Sequence, residues 1–417
     1  MSDKLDQEPK CPFSQFGARH EPFKQVGMHD FFSNVRPEAR VFYSPSIDCW
    51  VVTRQADIKP VMADSDRFSA TEATRPICPW PQSVRDYLDS RNFQNESVQV
   101  ACDPPKHKRI RRIAAQFLNG RQFLSYEDQL RDLVRGYIKE LKGSKEADLV
   151  DTIFYEFPAQ ALFLLIGVTD FDPRKIKEWG DLRIQSIFGR LSESEMQKAA
   201  KDIADFWDFS AEIVKSRVDN PIDDYASVLL KLRDGDDEKL TMNELRNLVF
   251  GLQLAGHETT TNAAGNLFYT LMTHPEQWQK LVEDPSLIPN AVEEGLRFES
   301  SVVAWRRISK TQVDVAGKTF PKGTKFLLAL ASGNRDENVF ANGNRFDVTR
   351  PDPRKHIAFG YGLHNCIGAP LARLELRILL EELTSHFPNM RLVPNQEIAW
   401  IETLSFRGPK KLCVTLT

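Results

Sequence analysis

The chain has 417 residues, of which 41% are hydrophobic and 27% charged, and its formal net charge is −3. This composition is typical of a globular protein with a sizeable core, and the near-neutral charge excludes a general basic field for nucleic acid. The N-terminal stretch MSDKLDQEPKCPFSQFG lacks the apolar segment of a secretory signal, and no apolar run approaches the roughly 18 residues of a membrane span. We therefore expect a soluble cytoplasmic protein.

Local patterns predict a mainly α-helical chain with a minor β portion. Two β-like runs in VFYSPSIDCWVVTR (Val41 to Arg54) predict a hairpin. The stretch from Ser65 to Ala101 has weak periodicity, and its length favours a functional loop. Helical patterns dominate from Pro104 to about Leu281, and short β-runs return in the last quarter of the chain. No linker-like tract divides the chain, so we expect one domain over residues 1–417, with a polar lead-in at 1–40.

One predicted helix is unusually long. Thr241 and Glu244 form a Thr-x-x-Glu capping pattern, which opens a proline-free run from Met242 to about Thr273. Its middle, AGHETTTN (Ala255 to Asn262), is glycine-containing and polar where a core helix should be apolar. Two interpretations stay open. A threonine hydroxyl bonds back to its own helix beside an exposed glutamate, or a loosened helix presents an acid and an alcohol to a groove that holds water and a small molecule.

Two charged segments have both an ordinary and a functional interpretation. Glu294 and Arg297 lie three residues apart on one helix face, which is most often a surface ion pair. The segment DPPKHKRIRRIAAQFL, from Asp103 to Leu118, predicts a helix start with His107 and Arg111 on one face. Its closely spaced basic residues have three interpretations: they form a solvated helix face, they bind carboxylates, or they dock an acidic partner protein.

The six cysteines are too scattered for a disulfide framework or a structural zinc site: Cys11, Cys49, Cys78, Cys102, Cys366 and Cys413. Cys366 differs from the others because FGYGLHNCIG (Phe359 to Gly368) surrounds it with glycines, and a predicted helix follows from near Ile367 to about His386. A buried structural cysteine, a half-disulfide and a metal ligand are the alternatives. As a metal ligand, it would be the only thiolate.

In this order, these segments resemble the cytochrome P-450 superfamily of haem-thiolate monooxygenases. FGYGLHNCIG is similar at every fixed position to the Phe-Gly-x-Gly-x-His-x-Cys-x-Gly haem loop, AGHETT resembles the oxygen-handling helix, EGLR resembles the Glu-x-x-Arg motif, and NRF (Asn344 to Phe346) resembles the stretch that follows it. Stretches such as SVVAWRRISK and SFRGPKKL are similar to the haem domains of bacterial self-sufficient fusions and their stand-alone relatives. The resemblance implies a single large, mainly α fold, with haem between the long helix and the helix after Cys366.

The resemblance also implies roles for individual residues. Haem b would have the Cys366 thiolate as proximal ligand, with Phe359 as a shield and Gly360 permitting the turn. Its propionates would be held by His107, Arg111, Arg307 and His364. Glu294, Arg297 and Arg345 would form a buried network on the proximal side. Glu258 and Thr259 would relay protons, and Ala255 and Gly256 would leave room for dioxygen.

The expected reaction inserts one oxygen atom into a small, largely apolar, aromatic or alkyl-aryl substrate. By resemblance, the pocket is lined by the Ser65–Ala101 loop, the helix from Gln253 to Thr259, and the two segments that contribute Val302, Val303, Leu404 and Phe406. A hydrogen-peroxide-driven peroxygenase and a haem sensor or gas carrier are alternatives, but the Glu258–Thr259 pair argues against both. A cysteine hydrolase would need a base paired with Cys366, and no motif supplies one.

Electrons are expected from a separate ferredoxin or reductase, because the chain reaches Thr417 without a fused flavin or iron–sulfur domain. The chain would be either a stand-alone relative or the haem domain of a fusion. Basic residues near the haem loop would dock the partner: Lys108, Arg109, Arg112, Arg354 and Lys355.

Overall fold

A computed structural model describes residues 14–416, and helices form most of this part of the chain. The helices are α1 (Ser14–Arg19), α2 (Met28–Val35), α3 (Gln55–Ala63), α4 (Gln82–Ser90), α5 (Lys106–Ala114), α6 (Gly120–Leu124), α7 (Glu127–Leu141), α8 (Phe157–Ile166), α9 (Pro173–Phe188), α10 (Glu193–Asp219), α11 (Tyr225–Arg233), α12 (Met242–Thr273), α13 (Pro275–Glu283), α14 (Ile288–Phe298), α15 (Leu330–Gly333) and α16 (Ala369–His386). Within residues 14–416, every helix is too short or too polar to cross a bilayer.

The strands form a five-stranded sheet, a three-stranded sheet and a two-stranded hairpin. They are β1 (Val41–Ser44), β2 (Cys49–Val52), β3 (Phe68–Ser69), β4 (Glu146–Asp148), β5 (Trp305–Ser309), β6 (Val313–Val315), β7 (Lys318–Phe320), β8 (Lys325–Leu328), β9 (Arg391–Leu392) and β10 (Cys413–Thr415). The largest sheet has the order β1-β2-β8-β5-β3. The predicted hairpin is confirmed, since β1 pairs antiparallel with β2 and Val41 lies opposite Val52. The predicted mainly α fold with a minor β portion is confirmed as well.

The long helix α12 has the predicted boundaries and runs through the helical part of the molecule. Thr241 and Glu244 form the predicted capping box at its start. The helix packs against α8, α9, α10, α14 and α16, and most of its residues are buried in the largest apolar core. Because it contacts so many other helices, α12 fixes the position of the groups on its central turns.

A second apolar core lies between the five-stranded sheet and the N-terminal helices. Within the predicted polar lead-in, Phe16, Phe32 and Val35 are buried in this core, and the Gln25 side chain donates to the Thr403 carbonyl at 2.8 Å. The polar interpretation is therefore wrong for residues 14–40, and the rest of the lead-in, including Cys11, lies outside the described residues.

The expected Ser65–Ala101 loop contains regular structure. It includes β3 and the nine-residue helix α4, in which Val84 and Leu88 are buried at i, i+4 spacing. The Ile77 N–H donates to the Ile187 carbonyl at 3.0 Å, so this segment lies along the C-terminal part of α9.

Candidate functional site

The loop that carries Cys366 is shaped by glycines and leads directly into α16. Gly360 and Gly362 have φ values of +75° and +73°, which favour glycine. A Cβ on Gly362 would also lie 2.8 Å from the Ala63 Cα. Any other residue at that position would push the loop away from α3.

Backbone groups surround the Cys366 thiol. The Cys366 N–H donates to the Phe359 carbonyl at 2.9 Å, which closes the loop. Enclosure by protein raises the pKa of the Cys366 thiol, while hydrogen bonds from the Gly368 and Ala369 N–H groups and the Arg111 guanidinium act to lower it. The residue is solvent-accessible, whereas Cys49 and Cys102 are buried. Among the described residues, no three His, Cys, Asp or Glu side chains converge as a metal site, so a metal bound here would have Cys366 as its protein ligand.

Four basic side chains, those of His107, Arg111, Arg307 and His364, lie near one another beside this loop. The His107 and His364 rings lie 4.2 Å apart between centroids, and the Arg111 Nη2 donates to the Asn365 carbonyl at 2.7 Å. Within residues 14–416, both ring nitrogens of His107, Nε2 of His364 and Nη2 of Arg307 are buried without a hydrogen-bond partner. Unpaired buried donors are costly, and carboxylates such as haem propionates would pair with them. The donor set therefore fits haem.

The middle turns of α12 present Thr259 and Ala255 toward solvent-accessible space, since Ala255 is exposed and Thr259 half-buried. The Thr259 Oγ1 donates to the Ala255 carbonyl at 3.0 Å, so the back-bonding interpretation describes the hydroxyl. Gly256 faces α8 instead: a Cβ there would lie 3.2 Å from a methyl carbon of Leu162. The expectation that Gly256 leaves room for dioxygen is therefore wrong, because its missing side chain allows α8 to approach.

The structure does not bring Glu258 and Thr259 together. Glu258 is buried and forms an ion pair with Lys177 of α9, and Asn262 Nδ2 donates to its Oε1 at 2.9 Å. Lys177 also donates to Asp181 Oδ1 at 3.0 Å. Partial desolvation and the nearby Glu258 charge raise the pKa of Asp181 to about 7, despite the opposing Lys177. Lys177 and Asp181 were not foreseen, although their i, i+4 spacing in α9 was a usable signal.

The Glu-x-x-Arg motif forms a buried network, but its third member differs from the prediction. Arg297 makes a bidentate pair with Glu294 at 2.7 and 2.8 Å, and both side chains are fully buried. Arg350 Nε donates to Glu294 Oε1 at 2.9 Å. Arg345 is wrong as the third member, because its side chain is 67% exposed and faces Asp347. Only its carbonyl takes part, as an acceptor of Arg297.

The neighbouring Glu293 holds the cysteine loop, which the sequence analysis missed. Its buried carboxylate contacts His356 at 3.0 Å and Arg373 at 2.7 Å. The Arg373 guanidinium lies 4.5 Å from the centroid of the Phe359 ring. Glu293 thus connects α14, the segment before the loop and the first turns of α16.

The residues of the expected apolar lining divide between two hydrophobic clusters. Val302 and Phe406 form an isolated β-bridge, and Phe406 belongs to a small cluster with Ile184, Ile187 and Phe188 of α9. We call this set, with Leu254 and Val302 packed against it, the apolar cluster. Val303 and Leu404 belong instead to the core beneath the sheet, and their role as lining residues stays a prediction.

The expected docking residues are exposed except for Arg109. Lys108 and Arg112 are exposed on α5. Arg354 is 74% exposed and lies 3.2 Å from Glu293, while Lys355 contacts Asp352. Arg109 makes a bidentate pair with Glu244 at the start of α12. The prediction that its guanidinium is free for a partner is therefore wrong.

Comparison with known proteins gives consistent matches. The family model for Cytochrome P450 matches residues 182–408. The mycinamicin IV hydroxylase/epoxidase of Micromonospora griseorubida is 31% identical over 406 residues, covering 95% of this chain and 98% of that protein. The structure of cytochrome P450 CREJ in complex with (4-ethylphenyl) dihydrogen phosphate matches with a TM-score of 0.93 and 33% identity, covering 96% of this chain and all of that chain. Full-length CYP116B46 from Tepidiphilus thermophilus matches with a TM-score of 0.93 and 31% identity, covering 97% of this chain and 54% of that one.

Proposed function

Because this chain belongs to the cytochrome P450 family, we propose that it inserts one oxygen atom from dioxygen into a small, largely apolar organic substrate in the groove between α12 and the Cys366 loop. As a family member it is a monooxygenase, its cofactor is haem b with a cysteine thiolate as proximal ligand, and a ferredoxin or reductase supplies its electrons. Its substrate and the identity of that electron donor belong to the proposal, as does a single catalytic domain.

The observation that carries the assignment is the convergence of one accessible thiol with unpaired buried donors. The backbone N–H groups of Gly368 and Ala369 act to lower the pKa of the Cys366 thiol, and His107, His364 and Arg307 present nitrogens that lack an acceptor among the described residues. We assign Cys366 as the ligand and these residues, with Arg111, to the propionates. When bound, haem supplies the oxygen-activating chemistry, which thiolate ligation favours.

Thr259 is assigned to proton delivery. Its hydroxyl faces accessible space and is oriented by the Ala255 carbonyl, so Oγ1 can accept a proton from water and pass one on. Glu258 is held by Lys177, and its carboxylate reaches the Thr259 side only after that pair opens. Asp181 lies at the outer end of the same pair and is 38% exposed, which connects the buried carboxylate to solvent.

The substrate class follows from the apolar cluster. Its aromatic members, Phe188 and Phe406, lie 5.0 Å apart with an edge-to-face ring geometry, and Trp305 packs beside them. Aromatic side chains that line a site favour aromatic ligands through such ring contacts. We propose an aromatic or alkyl-aryl substrate, and the alkyl-aryl ligand bound by the similar CREJ protein supports this choice.

The electron donor is proposed to dock on α5 beside the Cys366 loop, where Lys108 and Arg112 are exposed. An acidic partner would be steered by these charges. Arg354 extends the surface, although it also contacts Glu293.

The test is the reduced carbon-monoxide difference spectrum of the purified protein. The native protein should show the absorption of thiolate-ligated haem, and Cys366→Ser should lose it together with turnover. Cys49→Ser is the matched control, because Cys49 is buried in the second core. Thiolate ligation that persists in Cys366→Ser would overturn the assignment.

A further inference from the structure

Arg183 on α9 is a buried cation, and two of its three guanidinium nitrogens lack a hydrogen-bond partner among the described residues. Its side chain is 4% exposed, and its Nε and Nη1 atoms find no hydrogen-bond partner among residues 14–416. No acidic side chain of that range forms an ion pair with it. Instead, the guanidinium carbon lies 5.1 Å from the Trp80 ring, 5.5 Å from Phe93 and 6.0 Å from Phe250.

Aromatic contacts alone do not explain this burial. A cation–π contact contributes about 0.5–2 kcal/mol, whereas removing a charged group from water costs several kcal/mol. Burial lowers the pKa of Arg183 to about 10, so the side chain remains charged at neutral pH. A desolvated guanidinium with free N–H groups is instead well prepared to bind an anion.

Arg183 stands next to the proposed substrate space. On α9 it lies one turn before Ile187, and on α12 its partner Phe250 lies one turn before Leu254. Both Ile187 and Leu254 belong to the apolar cluster. Trp80 is fixed over α9 because its Nε1 donates to the Ser186 carbonyl at 3.1 Å. The elements that enclose Arg183 therefore also enclose the apolar cluster.

Resting on the proposed function, we propose that Arg183 binds the anionic end of the substrate, a carboxylate or phosphate monoester attached to an alkyl or aryl body that occupies the apolar cluster. Phe250 and Thr259 are nine positions apart on α12, which corresponds to a rise of about 13 Å. The oxidised carbon would thus lie on the order of 10 Å from the anion, which selects elongated acids over compact ones.

The experiment compares matched ligands on the haem-loaded protein by calorimetry and by the haem spectral shift. One pair is a phenylalkanoic acid and the corresponding phenylalkanol, and the other is para-butylphenyl phosphate and para-butylphenol. The native protein should bind at least one anion roughly 10–100-fold more tightly than its neutral counterpart. The pair that shows the preference identifies the anion as carboxylate or phosphate.

Arg183→Met should abolish this preference while keeping the affinity for the neutral ligands, and Arg183→Lys should retain part of it. Arg190→Met is the control, because Arg190 is exposed and stacks on Phe23. Without ligand, Arg183→Met should melt no lower than the native protein, since no ion pair is lost.

Equal affinity of the native protein for the anionic and the neutral ligand would overturn the anion site. A preference for the anionic ligand that survives in both Arg183 variants would also overturn it, as would a large loss of stability in unliganded Arg183→Met. Calorimetric binding is independent of turnover. Failure of the monooxygenase assignment would appear separately, as the absence of the thiolate–haem spectrum.

Discussion

Replacing Arg297 by alanine tests the buried network around Glu294. The change removes both hydrogen bonds to Glu294 and also those to the carbonyls of Asn334 and Gly343, at 2.9 and 2.8 Å. Glu294 is fully buried, and Arg350 would remain as its one basic partner. Breaking a buried pair in this way costs about 3–5 kcal/mol.

The corresponding change in melting temperature follows from the size of the chain. An unfolding entropy of about 2.1 cal/mol/K per residue gives roughly 0.9 kcal/mol/K for 417 residues. A loss of about 4 kcal/mol therefore lowers the melting temperature by about 4–5 °C. Thermal unfolding followed by circular dichroism measures this shift, and the haem content of each preparation should fall with it.

Arg345→Ala is the matched control, because that arginine has an exposed side chain and contributes only its carbonyl. Its melting temperature should stay within about 1 °C of the native value. The reasoning fails if Arg297→Ala melts like the native protein, or if Arg345→Ala is destabilised as strongly as Arg297→Ala.

Three further predictions concern catalysis, acid stability and electron transfer. Thr259→Ala should lower the amount of product formed per reductant oxidised and increase hydrogen peroxide release. Thr260→Ala is the control and should change this ratio little, because Thr260 is buried. An unchanged ratio in Thr259→Ala would contradict the proton-delivery role. Burial alone would raise the pKa of Glu293, but His356 and Arg373 lower it to about 2. The native protein should therefore lose about 3 kcal/mol more than Glu293→Gln as the pH falls from 5 to 2, and parallel stability curves would refute this. Arg112→Glu should slow reduction of the haem by an acidic ferredoxin, most strongly at low ionic strength, but should not slow its reduction by dithionite. Lys198→Glu on α10 is the control and should slow neither reaction. If Arg112→Glu is reduced by the ferredoxin at the native rate, α5 is not the docking site.

Local sequence signals predicted the elements that depend on neighbouring residues. The capping residues Thr241 and Glu244 placed the start of α12 correctly, and the turn in Val41 to Arg54 predicted the hairpin of β1 and β2. The glycines and the cysteine of the haem loop are likewise close in sequence, so the shape of that loop could be anticipated.

Side-chain direction over long sequence separations could not be predicted. Arg345 and Arg350 both follow the Glu-x-x-Arg helix, and only the packed chain shows that Arg350 turns inward. The pairing of Glu258 with Lys177 joins residues 81 positions apart. Arg183 resembled an ordinary helix arginine in the sequence, because neither its burial nor its lack of an acidic partner is a local property.

The adjacent glutamates on α14 have a consequence for how the haem protein assembles. Glu294 anchors the 334–350 segment through Arg297 and Arg350, while Glu293, one residue earlier, anchors the loop of the thiolate through His356 and Arg373. A local opening of this single helix turn releases both anchors at once. The two regions therefore behave as one cooperative unfolding unit, and we expect their backbone amides to exchange with solvent deuterium at a common rate, slower with haem than without. We expect the loop to reach its haem-binding conformation only after α14 has packed in place. Haem binding would therefore depend on the folding of the 334–350 segment as well.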